Sequence, residues 1–144
     1  MKNNKKGFTL IELLAVIAIL AILVVLAVPA ILKIFNDSKA SAFRDQAQIL
    51  YKAAETQYVS KQLEGTTITK FTNISGVTGT GVAALDLGST TAGLKYCIIL
   101  TDGKVTKIGV SDNNYSIATY SISSISDLST KAFDATRTDL DACS

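Results

Sequence analysis

The side chains of this sequence that could carry out chemistry are few, and they lie far apart along the chain. Glu12 is the one ionisable residue in the apolar run from Phe8 to Leu32, and Cys97 and Cys143 are the only cysteines. The sequence contains no histidine, which leaves no Ser-His or Cys-His pair for nucleophilic catalysis and no imidazole-rich metal site. No acid-base pair is evident either, so we predict that the protein is not an enzyme and has no cofactor or metal.

Two groups of charged residues elsewhere in the chain raise the question of a binding site. Four aspartates in the tail could hold calcium, but they lack the spacing of a compact oxygen-ligand loop: Asp127, Asp134, Asp139 and Asp141. Three lysines lie near a predicted hairpin, with Lys107 expected on the opposite face from Lys95 and Lys104. We interpret both groups as solvated surface and predict no specific binding of nucleic acid.

The apolar run that contains Glu12 is long enough to cross a membrane. Its 25 residues would span roughly 37 Å as a helix. Three lysines precede it, at positions 2, 5 and 6, and positive charge before an apolar span retains that end in the cytoplasm. A cleavable secretory signal would end its apolar region much sooner, at a site with small residues. The part of the chain after residue 33 is therefore expected to be exported.

The motif Lys6-Gly7-Phe8-Thr9-Leu10-Ile11-Glu12-Leu13-Leu14 resembles the processing motif of type IV pilins and of the related pseudopilins. The resemblance implies that a membrane prepilin peptidase cuts between Gly7 and Phe8 and methylates the new amine of Phe8. It also implies that Glu12 meets the Phe8 amine of a neighbouring subunit in a filament. The alternative is an uncleaved single-pass anchor, which leaves the lone carboxylate of Glu12 in the span unexplained.

Helical patterning continues beyond the apolar run. Pro29 should kink or loosen the helix, since proline removes a backbone donor. An apolar stripe at spacings of three and four then follows, formed by Ala40, Phe43, Ala47, Leu50, Ala54 and Tyr58. Gly65 is predicted to end this helix. These features predict one helix from Phe8 to about Gln62.

The second half of the chain changes from glycine-rich to strand-like. Residues 65–93 are predicted to be a variable loop, with a short strand near 67–71 and a helical turn near 82–87. Residues 94–122 alternate in polarity around Asp102-Gly103, which predicts a three-stranded antiparallel sheet with a two-residue hairpin. Pairing of Thr101 with Lys104 then predicts Tyr96, Ile98 and Val105 on one face, and Cys97, Ile99, Ile108 and Val110 on the other.

The two cysteines are expected on the exported side, where an even number favours one disulfide over two free thiols. The resemblance supports the bond, because many type IV pilins close their C-terminal region with a cysteine pair. A bond between Cys97 and Cys143 would hold the tail over the sheet, whose second face also needs cover.

Together these observations predict an α+β, type IV pilin fold with three parts. Residues 1–7 are a leader, residues 8–33 a transmembrane and assembly helix, and residues 34–144 an exported head that includes a helix over 34–62 and a disulfide-closed region over 97–143. The predicted function is that of the major subunit of a type IV pilus, inserted in the inner membrane and then polymerised at the cell surface. Its expected partners are copies of itself, the prepilin peptidase, and the pilus assembly platform and motor. The alternatives are a minor pilin or pseudopilin of a secretion or DNA-uptake system, and a membrane-tethered adhesin.

Overall fold

The computed structural model describes residues 7–88, 93–130, 140 and 143 of the chain. The chain divides into two compact units, Met1–Lys39 and Ala40–Ser144. Helix α1, Leu10–Leu63, contributes to both units. The second unit also contains five strands and a short helix α2, Asp127–Thr130. The fold class is α+β, as predicted, and is consistent with the type IV pilin fold.

Helix α1 ends in the manner that the sequence predicts. The N–H of Gly65 donates to the carbonyl of Gln62 at 3.0 Å, and the N–H of Thr66 donates to the carbonyl of Lys61 at 2.9 Å. Gly65 has a φ of 79°, a left-handed conformation that glycine adopts without a steric penalty. These two bonds satisfy carbonyls that the last turn leaves without helical partners, so the helix stops at Leu63.

The predicted apolar stripe is the face that α1 buries in the second unit. Four members of the stripe are buried, namely Phe43, Ala47, Leu50 and Ala54, and Tyr51, which the stripe did not include, is buried beside them. They pack in one core with residues of the sheet and of α2, among them Phe71, Tyr96, Ile98, Ile108, Ile117 and Leu128. Removal of this apolar surface from water is the main favourable contribution to the stability of the unit.

The sheet has five strands: the three of the predicted meander, a strand that overlaps the short one predicted near 67–71, and a further strand that the sequence does not predict. The strands are β1 (Lys70–Thr72), β2 (Val82–Ala83), β3 (Lys95–Thr101), β4 (Lys104–Ser111) and β5 (Ser116–Ser121). Their order across the sheet is β2-β1-β3-β4-β5. Pairs β1·β3, β3·β4 and β4·β5 are antiparallel, whereas β1 and β2 are parallel. The predicted meander is present as β3, β4 and β5.

The predicted loop over 65–93 contains β1 and β2, and the helical turn predicted near 82–87 is wrong. Val82 and Ala83 form a strand instead, and Asp86 is held by Gln57 of α1. The Gln57 amide donates to the carbonyl of Asp86 at 2.7 Å and accepts from its N–H at 2.9 Å. Leu85 donates its N–H to the hydroxyl of Tyr96 at 2.8 Å. These long-range bonds fix the backbone at Leu85 and Asp86, where the structure has no helical turn.

The hairpin between β3 and β4 has the geometry that its sequence predicts. Asp102 and Gly103 have φ angles of 51° and 80°, the positive values that a type I′ turn requires at both central positions. Thr101 pairs with Lys104, as expected.

The assignment of residues to the two sheet faces is partly wrong beyond this hairpin. The register between β3 and β4 shifts next to Ile99 and Leu100, where a bulge adds one residue to β4. As a result Ile108 pairs with Ile98, and Val110 pairs with Tyr96. One extra residue in a strand transfers every later side chain to the other face. Ile108 and Val110 therefore lie on the core face, and both are fully buried.

Candidate functional site

The segment that contains the predicted cleavage point lies outside the helix. Gly7, Phe8 and Thr9 have no regular secondary structure and are exposed, with Phe8 85% accessible. Among the described residues other than its chain neighbour, no atom lies within 4 Å of the position that a Cβ would take at Gly7. The peptide bond between Gly7 and Phe8 is therefore reachable from solvent in an irregular stretch of backbone.

Thr9 and Glu12 together cap the start of α1. The backbone N–H of Thr9 donates to Glu12 Oε2 at 2.8 Å, and the Thr9 hydroxyl donates to the same oxygen at 2.7 Å. The N–H of Glu12 donates back to Thr9 Oγ1 at 3.4 Å. This reciprocal arrangement is a capping box, which satisfies backbone donors at a helix N-terminus. The sequence signal for this arrangement is the pattern Thr9-Leu10-Ile11-Glu12, which was not among the predicted features.

The start of the helix also changes the expected relation between Phe8 and Glu12. The helix was predicted to begin at Phe8, which would place these residues one turn apart on one face. The helix instead begins at Leu10. In its first hydrogen bond the N–H of Leu13 donates to the carbonyl of Thr9 at 3.3 Å. Phe8 thus precedes the cap. Within the described chain, Glu12 bonds to Thr9 and not to Phe8.

The first unit displays an extended apolar surface. Among the described residues, α1 is the one helix long and apolar enough to span a membrane, and none of its most apolar 18-residue window is buried. Large apolar side chains from Phe8 to Phe35 are exposed in the isolated chain. Pro29 lies inside α1, which continues on both sides of it. The kink at Pro29 stays a prediction.

In the second unit, Cys97 and Cys143 form a disulfide, with their Cα atoms 5.6 Å apart. Both residues are buried. The ammonium of Lys70, on β1, donates to the backbone carbonyl of Cys143. The chain near its C-terminus is thus attached to the sheet at β3 and at β1. The disulfide is the one that the sequence predicts, whereas no pattern in the sequence indicates the contact with Lys70.

The lysines near the hairpin lie on one face, contrary to the prediction for Lys107. Lys107 pairs with Ile99, and Lys104 pairs with Thr101, which places both beside the same side of β3 as Lys95. The reason is again the bulge, which reverses the alternation in β4. All three side chains are exposed at the face opposite the core.

The only one of the four tail aspartates that the structure describes is Asp127; Asp134, Asp139 and Asp141 lie outside the described residues. The Asp127 carboxylate accepts the N–H groups of Ser123 and Ser124, at 2.7 and 3.1 Å. These bonds hold the pKa of Asp127 below its usual value. Across the described ranges, no three histidine, cysteine, aspartate or glutamate side chains cluster in a way that could hold a metal ion.

Comparison with known proteins identifies the N-terminal region alone. A family model, described as the prokaryotic N-terminal methylation motif, matches residues 2–28. No curated protein and no solved structure matches the chain significantly. The matched region includes Gly7, Phe8, the capping pair of Thr9 and Glu12, and most of the exposed apolar run. The chain therefore carries a type IV prepilin-like N-terminal signal, followed by an α+β fold consistent with that of type IV pilins.

Proposed function

We propose that this protein is the major subunit of a type IV pilus. A peptidase cuts between Gly7 and Phe8, the amine of Phe8 is methylated, and the processed chain polymerises through its N-terminal helix. In this proposal residues 1–7 are the leader, residues 8–33 the membrane and assembly helix, and residues 34–144 the exported head. The observation that carries it is the exposed apolar surface of α1, with one capped carboxylate at its start.

An apolar surface of this size needs cover, because its contact with water is unfavourable. Before assembly, lipid of the inner membrane covers it. The leader lysines at positions 2, 5 and 6 keep the precursor at the cytoplasmic face. Cleavage removes these charges and frees the helix for transfer, by the assembly platform and its motor, to a bundle of identical helices at the base of a growing filament.

Glu12 sets the axial position of each subunit that joins the filament. A carboxylate in a dry helical bundle needs a partner, and cleavage creates one in the positively charged amine of Phe8. Pairing of Glu12 in one subunit with Phe8 of the next would align the subunits along the filament axis. Apolar packing supplies most of the affinity in this scheme, and the ion pair supplies the alignment.

Mass spectrometry and N-terminal sequencing of surface filaments test the proposal. Filaments sheared from producing cells should contain this chain as their dominant subunit. The subunit should begin at Phe8 and be heavier than the unmodified sequence by one CH2 unit, because a methyl group replaces a hydrogen of the amine. In Gly7→Leu cells the full precursor should stay in the membrane, since a branched side chain would hinder approach of the peptidase to the backbone. Filaments that contain the chain from Met1, or that lack the chain, would contradict the proposal. A chain present only as a trace component would identify a minor pilin or pseudopilin.

A further inference from the structure

The capping box at the start of α1 leaves the two oxygens of the Glu12 carboxylate in different situations. Oε2 accepts two hydrogen bonds, from the N–H and from the hydroxyl of Thr9. Oε1 accepts none from any residue in the part of the chain that the structure describes. Since the Thr9 N–H belongs to the peptide bond between Phe8 and Thr9, cleavage after Gly7 leaves both donors in place.

We infer that Thr9 is a positioning residue for assembly. Its hydroxyl fixes the carboxylate of Glu12 through Oε2, so that Oε1 remains available for the Phe8 amine of the neighbouring subunit. A glutamate side chain loses several freely rotating bonds when it is held in one orientation. Because Thr9 imposes this order before the subunits meet, the cost of ordering does not weaken the contact between them. This inference rests on the proposed function.

Three substitutions of Thr9 separate this role from simple capping of the helix. Thr9→Ser keeps the hydroxyl, whereas Thr9→Val keeps the shape and removes it. Thr9→Gly also removes the hydroxyl, but glycine is about as acceptable as threonine at a helix N-cap. A residue that only started the helix would therefore tolerate glycine, and a residue that positions Glu12 would not.

The experiment produces the full-length variants in piliated cells and measures pilus number by electron microscopy, together with the N-terminal residue and mass of the membrane-bound protein. We expect Thr9→Ser to resemble the wild type. We expect Thr9→Val and Thr9→Gly to be cut at Phe8 and to reduce pilus number roughly tenfold, the size of effect that follows from loss of one hydrogen bond to a charged group. Glu12→Gln is measured in parallel.

The outcomes distinguish this inference from the proposed function. Wild-type pilus numbers in Thr9→Val or Thr9→Gly, with few pili in Glu12→Gln, would overturn the positioning role and leave the proposed function standing. Uncut Thr9→Val protein would also overturn it, because the hydroxyl would then act in recognition by the peptidase. Poor assembly of Thr9→Ser alongside the other two variants would overturn the requirement for a hydroxyl. Wild-type pilus numbers in Glu12→Gln would overturn both the assembly role of Glu12 and this inference.

Discussion

Cys97 and Gly109 lie directly opposite each other on β3 and β4, on the side of the sheet that faces away from α1. The disulfide attaches Cys143 to the first of these residues, and Leu140 packs over the second. A side-chain carbon built on Gly109 would lie 3.1 Å from Leu140 Cδ2 and 2.6 Å from Thr119 Oγ1. A glycine at position 109 therefore provides the room that both β5 and the end of the chain require.

Gly109→Val should destabilise the head, because the new side chain would overlap Thr119 and displace Leu140. Overpacking of this kind costs about 1–3 kcal/mol. Urea unfolding of the solubilised full-length protein, followed by tyrosine fluorescence, measures the loss. Lys107→Ala is the matched control, since Lys107 is exposed on the same face of β4 and should change stability little. A Gly109→Val protein as stable as the wild type would show that nothing packs closely over this position.

Cys97→Ser and Cys143→Ser should lower the free energy of unfolding by about 2–5 kcal/mol, the usual cost of losing one disulfide in a small exported domain. The two variants should behave alike, because each removes the same bond. Thiol labelling of the denatured, unreduced wild type provides the check, and it should find no reactive cysteine. Two labelled thiols in each chain would contradict the disulfide.

Ile108→Ala and Ile99→Ala test the register set by the bulge. Ile108 is 0% exposed and lies in the core, so its truncation should cost about 2–5 kcal/mol. Ile99 is half-buried on the opposite face, where truncation leaves a smaller cavity and should cost clearly less. Equal losses in the two variants would favour the register without the bulge, in which both residues share a face. Urea unfolding of both variants distinguishes these cases.

Tyr120 should make the head less stable at alkaline pH. Burial, and to a lesser extent the carboxylate of Asp127, raise the pKa of the Tyr120 phenol from its ordinary value of 10.0 to about 12. Because the folded state holds this proton more tightly than the unfolded state, the contribution is fully present below about pH 10 and is lost as the pH rises to about 12. Tyr120→Phe should therefore lose less stability than the wild type between these values. The raised pKa of Tyr96 is common to both proteins and cancels in the comparison. Identical pH profiles would contradict the assignment.

Glu12→Gln and Glu12→Ala should block assembly without blocking insertion or cleavage. Both variants remove the negative charge that, in the proposed function, pairs with the Phe8 amine of a neighbouring subunit. The amine is then left as an unpaired charge in a dry bundle, which is strongly unfavourable. We expect membrane-bound protein cut at Phe8 and few or no pili by electron microscopy. Asp37→Asn is the control, because it removes an exposed carboxylate of α1 outside the apolar run. Wild-type pilus numbers in both Glu12 variants would defeat this account.

The features that the sequence alone determined are those that depend on neighbouring residues. The apolar run and the stripe that follows it specify α1, because helical periodicity is a property of residues three and four apart. Gly65 ends the helix, and Asp102-Gly103 forms the hairpin, because each supplies a positive φ where the local geometry requires one. The prepilin-like signal is also local, and a family model recognises it from residues 2–28.

Tertiary structure decided the features that join distant parts of the chain. Val82–Ala83 is a strand because it pairs with β1, and the side chain of Gln57 binds the backbone of Asp86 shortly after it. The bulge in β4 moves Ile108 and Lys107 to faces that simple alternation does not predict. The close cover of Gly109 depends on β5 and on Leu140, which alternation within β4 does not reveal. In each case the deciding free energy comes from backbone pairing and burial between residues far apart in sequence, and these contacts exist only once the chain has folded.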